Sequence, residues 1–134
     1  MEKATQHVVR ERAGGCCEYC RFPESFAELP FHLDHVIARQ HGGPTTLDNL
    51  ALACCYCNRY KGPNVASIDP QTGTIVTLFN PRWDEWRKHF VWQDAQLNGL
   101  TATGRATIKL LQINRADAVA VRRLLMHAGA FTSE

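Results

Sequence analysis

The hydrophobic pattern changes character several times along the chain, and each change marks an element. "ATQHVVRERA", residues 4–13, reads as a short helix that Gly14 and Gly15 stop. "FHLDHV", 31–36, alternates as a strand, with Phe31, Leu33 and His35 on one face and His32, Asp34 and Val36 on the other. "QHGGPTT" is a loop, because Gly42, Gly43 and Pro44 continue neither regular element. Thr46 is then placed to cap a short helix over "LDNLALA", directly before a cysteine-rich stretch. Beyond Gly62-Pro63, "SIDPQTGTIVTLFNP" reads as strand, turn, strand, with Asp69-Pro70 and Gly73 in the turn and Asn80-Pro81 closing the second strand. Trp83, Trp86 and Phe90 recur at i, i+3 and i+7, the spacing of one helical face, and with Trp92 are read as core and not as a stacking platform for bases. Two more helices are expected, about 101–113 opened by Thr101 and about 115–128 with Asn114 as N-cap and Gly129 as stop.

At 134 residues the chain is expected to form a single domain, and its 45% apolar content excludes a disordered polymer. No stretch approaches the roughly 18 apolar residues a membrane span needs, and with the charged N-terminus this leads to the expectation of a cytoplasmic protein. A reducing interior turns the six cysteines toward metal binding and away from disulfides. The formal charge of +2 is too small to argue for nucleic acid; four thiolates around one Zn2+ would cancel it. Local chemistry must carry any functional case. The basic residues Arg105, Lys109, Arg115, Arg122 and Arg123 of the last two helices fit either a phosphate-tracking face or the solvated side of an amphipathic pair.

Cys17-Glu-Tyr-Cys20 and Cys54-Cys-Tyr-Cys57 are both C-x2-C. Such a turn converges two thiolates on one tetrahedral ion, and two turns close a four-thiolate structural zinc site. Cys16 and Cys55 would give C-x3-C and C-x-C, so the ligands chosen are Cys17, Cys20, Cys54 and Cys57, leaving Cys16 and Cys55 as buried free thiols. Asp34 and His35, consecutive on a strand, point to opposite faces unless the chain bends. Alone the pair says little; Asn49, then Cys54-x2-Cys57 followed at once by Asn58 and by Lys61, gives it company.

In this combination the sequence resembles the HNH endonuclease family in its zinc-knuckle form, C-x2-C, DH[IV], GG, N-L, C-x2-C-[HN]-x2-K, through Cys17, Cys20, Asp34, His35, Gly42, Gly43, Asn49, Leu50, Cys54, Cys57, Asn58 and Lys61. "LFNPRWDEWRKHFVW" and "GLTATGRATIKLLQINR" are similar to an extension found on many bacterial HNH proteins. The resemblance implies an α+β fold: a small ββα-metal nuclease core with a four-cysteine zinc knuckle over residues 1–66, then a β-hairpin and a helical extension over 67–134, packed as one domain. It implies His35 as general base, apt for an imidazole near neutral pH. Asn49 would tie down the loop and orient that base. Asp34 and Asn58 would hold the catalytic ion. One carboxylate and one amide leave positions for water and phosphate oxygens, which favours Mg2+, with Mn2+ as substitute.

The implied reaction is DNA phosphodiester hydrolysis leaving 5′-phosphate and 3′-hydroxyl ends. Lys61, Arg59, His32 and His41 are the candidate phosphate contacts. Alanine at position 38 departs from the proline common in the family and bears on loop stiffness. Two other readings compete: a non-catalytic zinc-binding module that contacts DNA or protein, and a nuclease subunit that needs a protein partner of a defence, repair or mobile-element system.

Overall fold

In the computed structural model, which describes residues 1–131, the chain divides into two compact units. One comprises Met1–Val65 with Asn80–Trp83, the other Ala66–Phe79 and the chain from Asp84 onward. The final residues 132–134 of the expected second half lie outside the described residues. The fold is mixed, with small two-stranded antiparallel sheets and helices. No helix among the described residues is long and apolar enough to cross a membrane.

The first unit opens with helix α1 (Lys3–Arg12), which ends where Gly14 and Gly15 take positive φ angles and return their N–H groups to Glu11 and Arg10. Strand β1 (His32–His35) pairs with β2 (Leu50–Ala53), Asp34 opposite Ala51 and His35 opposite Leu50. Helix α2 (Cys55–Lys61) follows directly, completing a strand, strand, helix unit. The helix expected over 47–53 is not there. Leu47–Asn49 makes one 3-10 turn and "LALA" runs on as β2, every residue of which is buried. Leucine and alanine suit a helix by propensity, but pairing with β1 satisfies this backbone while both faces are covered. Thr46 therefore caps no helix; its hydroxyl bonds Asp48. In β1 the buried positions fall on Asp34, with Phe31 and Val36 flanking, while His32 is exposed and Leu33 and His35 are half-buried.

In the second unit β3 (Ala66–Ile68) and β4 (Ile75–Thr77) form the expected hairpin, its turn organised by Asp69 and by Gly73 at φ 76°. The aromatic stripe is a different matter. Only one helical turn forms, α3 (Trp86–His89), and Phe90 already begins strand β5 (Phe90–Gln93), paired with β6 (Gln96–Gly99). Phe90, Val91 and Trp92 are good strand formers, and Asp94 tolerates the positive φ of the tight turn. Trp86 and Phe90 are buried, Trp92 is half-buried, and Trp83 is 76% exposed, so the core reading fails for Trp83.

Helix α4 (Ala102–Leu111) is capped by the Thr101 hydroxyl, which accepts from Gly104 N–H at 3.0 Å. Gly104 is obligatory here, since a Cβ would stand 2.2 Å from the His89 carbonyl oxygen. Helix α5 (Ala116–His127) has Arg115, not Asn114, at its N-cap. The Asn114 amide is instead committed to the backbone of Leu97, accepting its N–H at 2.9 Å and donating to its carbonyl at 2.7 Å. Arg122 is buried, donating to the carbonyls of Ala95 and Ile113 across the face of Trp92, and Arg105 grips Asp69. Arg122 is thus an internal strut, and Arg105, partly exposed, ties its helix to the hairpin turn.

Candidate active site

The knuckle of Cys17–Cys20 is closed by Cys17 N–H on the Phe22 carbonyl and by Arg21 N–H on that of Cys17, with Arg21 at φ 68°. The second knuckle opens α2, where Cys57 N–H points at Cys54 Sγ, 3.4 Å away; Cys20 N–H points likewise at Cys17 Sγ, 3.5 Å away. The four sulfurs, all buried, lie within 4.8 Å of one another, and Cys20 and Cys54 Sγ are 3.8 Å apart. Zinc–sulfur bonds of about 2.3 Å in a tetrahedron require sulfur–sulfur edges of about 3.8 Å. The donor set therefore fits zinc. Burial pushes the Cys17 thiol well above its ordinary value, and a dication is what makes four thiolates tolerable at this depth. Cys16 and Cys55 stand outside the cluster and are half-buried, not buried as expected.

The two residues between the first cysteines face inward and tie the knuckle to the strands. Glu18 accepts Leu52 N–H at 2.8 Å, gives its own N–H to the Leu52 carbonyl, and meets Arg82 with its other oxygen. The Tyr19 hydroxyl donates to Asp34 Oδ2 at 2.8 Å. From the other side Lys61, at the end of α2, brings Nζ to 3.2 Å from the same oxygen and 3.3 Å from the His35 carbonyl. Asp34 is 6% exposed and Lys61 only 2%. Burial pushes the Asp34 carboxyl above the ordinary aspartate range, against the pull of Lys61 and Tyr19.

His35, half-buried, has Nε2 2.8 Å from Thr45 Oγ1. Asn49, buried, accepts Ile37 N–H at 2.9 Å and donates to the carbonyls of Ile37 and Pro44 at 3.0 and 2.8 Å, pinning both ends of the glycine loop. That clasp explains Gly43: a Cβ would fall 1.7 Å from the Ile37 carbonyl oxygen. Gly42, at φ 87°, makes the turn before it.

Hydrogen bonds thus join Asp34, Lys61 and the His35 backbone, while Asn49 acts on the loop and Thr45 on the His35 ring. Asn58 lies half-buried on α2 with no side-chain partner among the described residues, so its amide oxygen is free to accept a ligand. One buried carboxylate and one amide suit a hard divalent ion that keeps much of its water. Arg59 and His32 are exposed and join no bond to this group among the described residues; His41 is exposed with Nε2 3.1 Å from the Pro63 carbonyl oxygen. Tyr19, Glu18 and Thr45 escaped the sequence reading. The C-x2-C spacing says where the cysteines go and nothing of the residues between them, and Thr45 follows a loop whose closure no local pattern reveals.

Residues 17–64, from the first knuckle cysteine to just past Lys61, match the family model for HNH endonuclease. Comparison with curated proteins and with solved structures returned no match.

Proposed function

The chain carries an HNH endonuclease domain at residues 17–64, and from that premise we propose that it is a metal-dependent nuclease hydrolysing phosphodiester bonds of DNA. One observation carries the reading: within that domain the buried Asp34 carboxylate, bonded by Tyr19 and Lys61, directly precedes the half-buried His35, whose ring Nε2 lies 2.8 Å from Thr45 Oγ1.

His35 acts as general base, taking a proton from water; the hydroxide oxygen attacks phosphorus, and the 3′ oxygen leaves with the bonding electron pair and takes up a proton from solvent, giving 5′-phosphate and 3′-hydroxyl ends. Asp34 and Asn58 would hold Mg2+ or Mn2+, which when bound would stabilise negative charge on the phosphate. Tyr19 and Lys61 fix the Asp34 carboxylate from two sides. A phosphate contact by Lys61 requires its ammonium to leave Asp34, so the exposed Arg59, His32 and His41 are the readier groups for the DNA backbone. Asn49 shapes the loop over the site and works on His35 at a distance.

Nicking of supercoiled plasmid by purified protein tests this. Cutting is expected to need Mg2+ or Mn2+ and to vanish in His35→Ala; unchanged cutting by that variant overturns the mechanism.

A further inference from the structure

Resting on the nuclease reading above, we infer that Thr45 positions the His35 imidazole, holding Nε2 so that Nδ1 is the nitrogen left to take the proton of water. The contact is direct, Nε2 to Oγ1 at 2.8 Å. What makes it a positioning device is the fixity of the loop behind it. Asn49 binds the residue on either side of Thr45: its side chain donates to the Pro44 carbonyl at 2.8 Å, and its backbone N–H to the Thr46 carbonyl at 2.9 Å. Gly43 marks how tightly the loop is packed, because a Cβ there would fall 1.7 Å from the Ile37 carbonyl oxygen and 2.9 Å from the Asn49 amide nitrogen.

His35 is held at its other end as well. Its backbone pairs with Leu50, the neighbour of Asn49, and its carbonyl accepts from Lys61. Strand and loop therefore grip one imidazole between them, and Asn49, with no bond to the ring, reaches it through Thr45.

A neutral imidazole carries one ring proton, and only the bare nitrogen can act as base. With Nε2–H donating to Thr45 Oγ1, the lone pair sits on Nδ1. As a water O–H bond breaks, the proton goes to Nδ1 and the oxygen keeps the electron pair with which it attacks phosphorus; the imidazolium later returns that proton to solvent. The hydroxyl accepts from Nε2–H throughout, so no group need reorganise around the ring.

Thr45 is exposed, so its replacement leaves the core alone. The test compares Thr45→Val, which keeps the shape without the hydroxyl, with Thr45→Ser, which keeps the hydroxyl. In plasmid nicking with Mg2+, Thr45→Val is expected to lower kcat about ten- to a hundredfold with KM within about twofold, while Thr45→Ser stays near the parent. In 15N-histidine NMR, the His35 ring proton should reside on Nε2 and give an exchange-protected signal in the parent and in Thr45→Ser, lost in Thr45→Val. Full kcat in Thr45→Val, equal loss in both variants, or a ring proton on Nδ1 overturns the inference. If the parent does not cut at all, the nuclease reading fails by itself. The ring signal then still decides whether Thr45 holds His35: loss in Thr45→Val supports it, and persistence overturns it.

Discussion

Asp34 in the first unit and Asp69 in the second are both buried and both face a basic side chain, yet their carboxyls are pushed in opposite directions. Asp69 takes the two-pronged guanidinium of Arg105 at 2.9 Å on each oxygen, together with Gln71 N–H and the Thr72 hydroxyl. Those donors, the Arg105 fork first, hold its carboxyl well below the usual range. Asp34 has the point charge of Lys61 and one phenol, and burial outweighs them. A saturated acid is a strut that pins a hairpin turn to a helix. An acid whose charge its surroundings resist is what the catalytic role proposed for Asp34 calls for.

The largest effect expected is from stripping zinc, because it should break one pair and spare the other. Structural zinc in small domains contributes on the order of 10 kcal/mol to folding. The knuckle supplies Tyr19 to Asp34 and Glu18 to Leu52, so a chelator should collapse the first unit. Hydrogen exchange read by mass spectrometry should then show protection lost over residues 17–64 and retained in the hairpin and helix joined by Asp69 and Arg105. Protection retained over 17–64 after the metal is shown to be gone would refute the structural role of the site.

Removing the basic partner of each pair comes next. Lys61→Met strands a 6% exposed carboxylate and should cost about 3 kcal/mol in a denaturant melt at neutral pH. Asp34→Asn combined with Lys61→Met leaves no stranded charge and should recover most of that loss, without cutting activity. Asp69 keeps Gln71 N–H and the Thr72 hydroxyl when Arg105 is replaced by Met, and that variant should fall less than Lys61→Met. Equal losses would mean that the two pairs are struts alike.

What the sequence made legible, and what it did not, follows from how local each signal is. Two C-x2-C turns constrain four sulfurs through short spacings, and the structure brings the four together. Asp69-Pro70 with Gly73 likewise announced a turn, and Thr101 a helix start. The misreadings came where one pattern suits two elements. "LALA" is helical by propensity and became a buried strand through a partner strand, His32–His35, much earlier in the chain. Trp83, Trp86 and Phe90 keep helical spacing across a turn, a helix of four residues and the start of a strand. Asn114 has the chemistry of a cap and was drawn to the Leu97 backbone instead. Tyr19 and Thr45 lie at the far ends of side-chain hydrogen bonds to Asp34 and His35, and such bonds leave no period in a sequence.

Acid should separate the two carboxyls by sign. Asp69 is lowered in the fold, so its contribution is present above the unfolded aspartate value of about 4 and is lost as pH falls through the folded value. Asp34 is raised, so its contribution is fully present below the unfolded value and is lost as pH rises through the folded one. Zinc thiolates also take up protons in acid, so 13C carboxyl resonances are the readout, not overall melting. Asp34 should titrate above the exposed aspartates and Asp69 below them; a common midpoint would erase the distinction.

The smallest expected effect tests the poise of Asp34 most finely. Tyr19→Phe removes one hydroxyl and keeps the buried ring, so packing is unchanged and the loss should be that of one hydrogen bond, about 1 kcal/mol. The Asp34 carboxyl then keeps Lys61 and the neighbouring His35 to favour its charge, and its titration should move further upward. The sign distinguishes two roles for the phenol. If Tyr19 serves the ionised carboxylate, the midpoint rises and the affinity for Mg2+ or Mn2+, measured by titration calorimetry, falls with it. If Tyr19 merely fills space beside Asp34, both stay where they were, and the likeness between Asp34 and a poised catalytic acid loses its chief support.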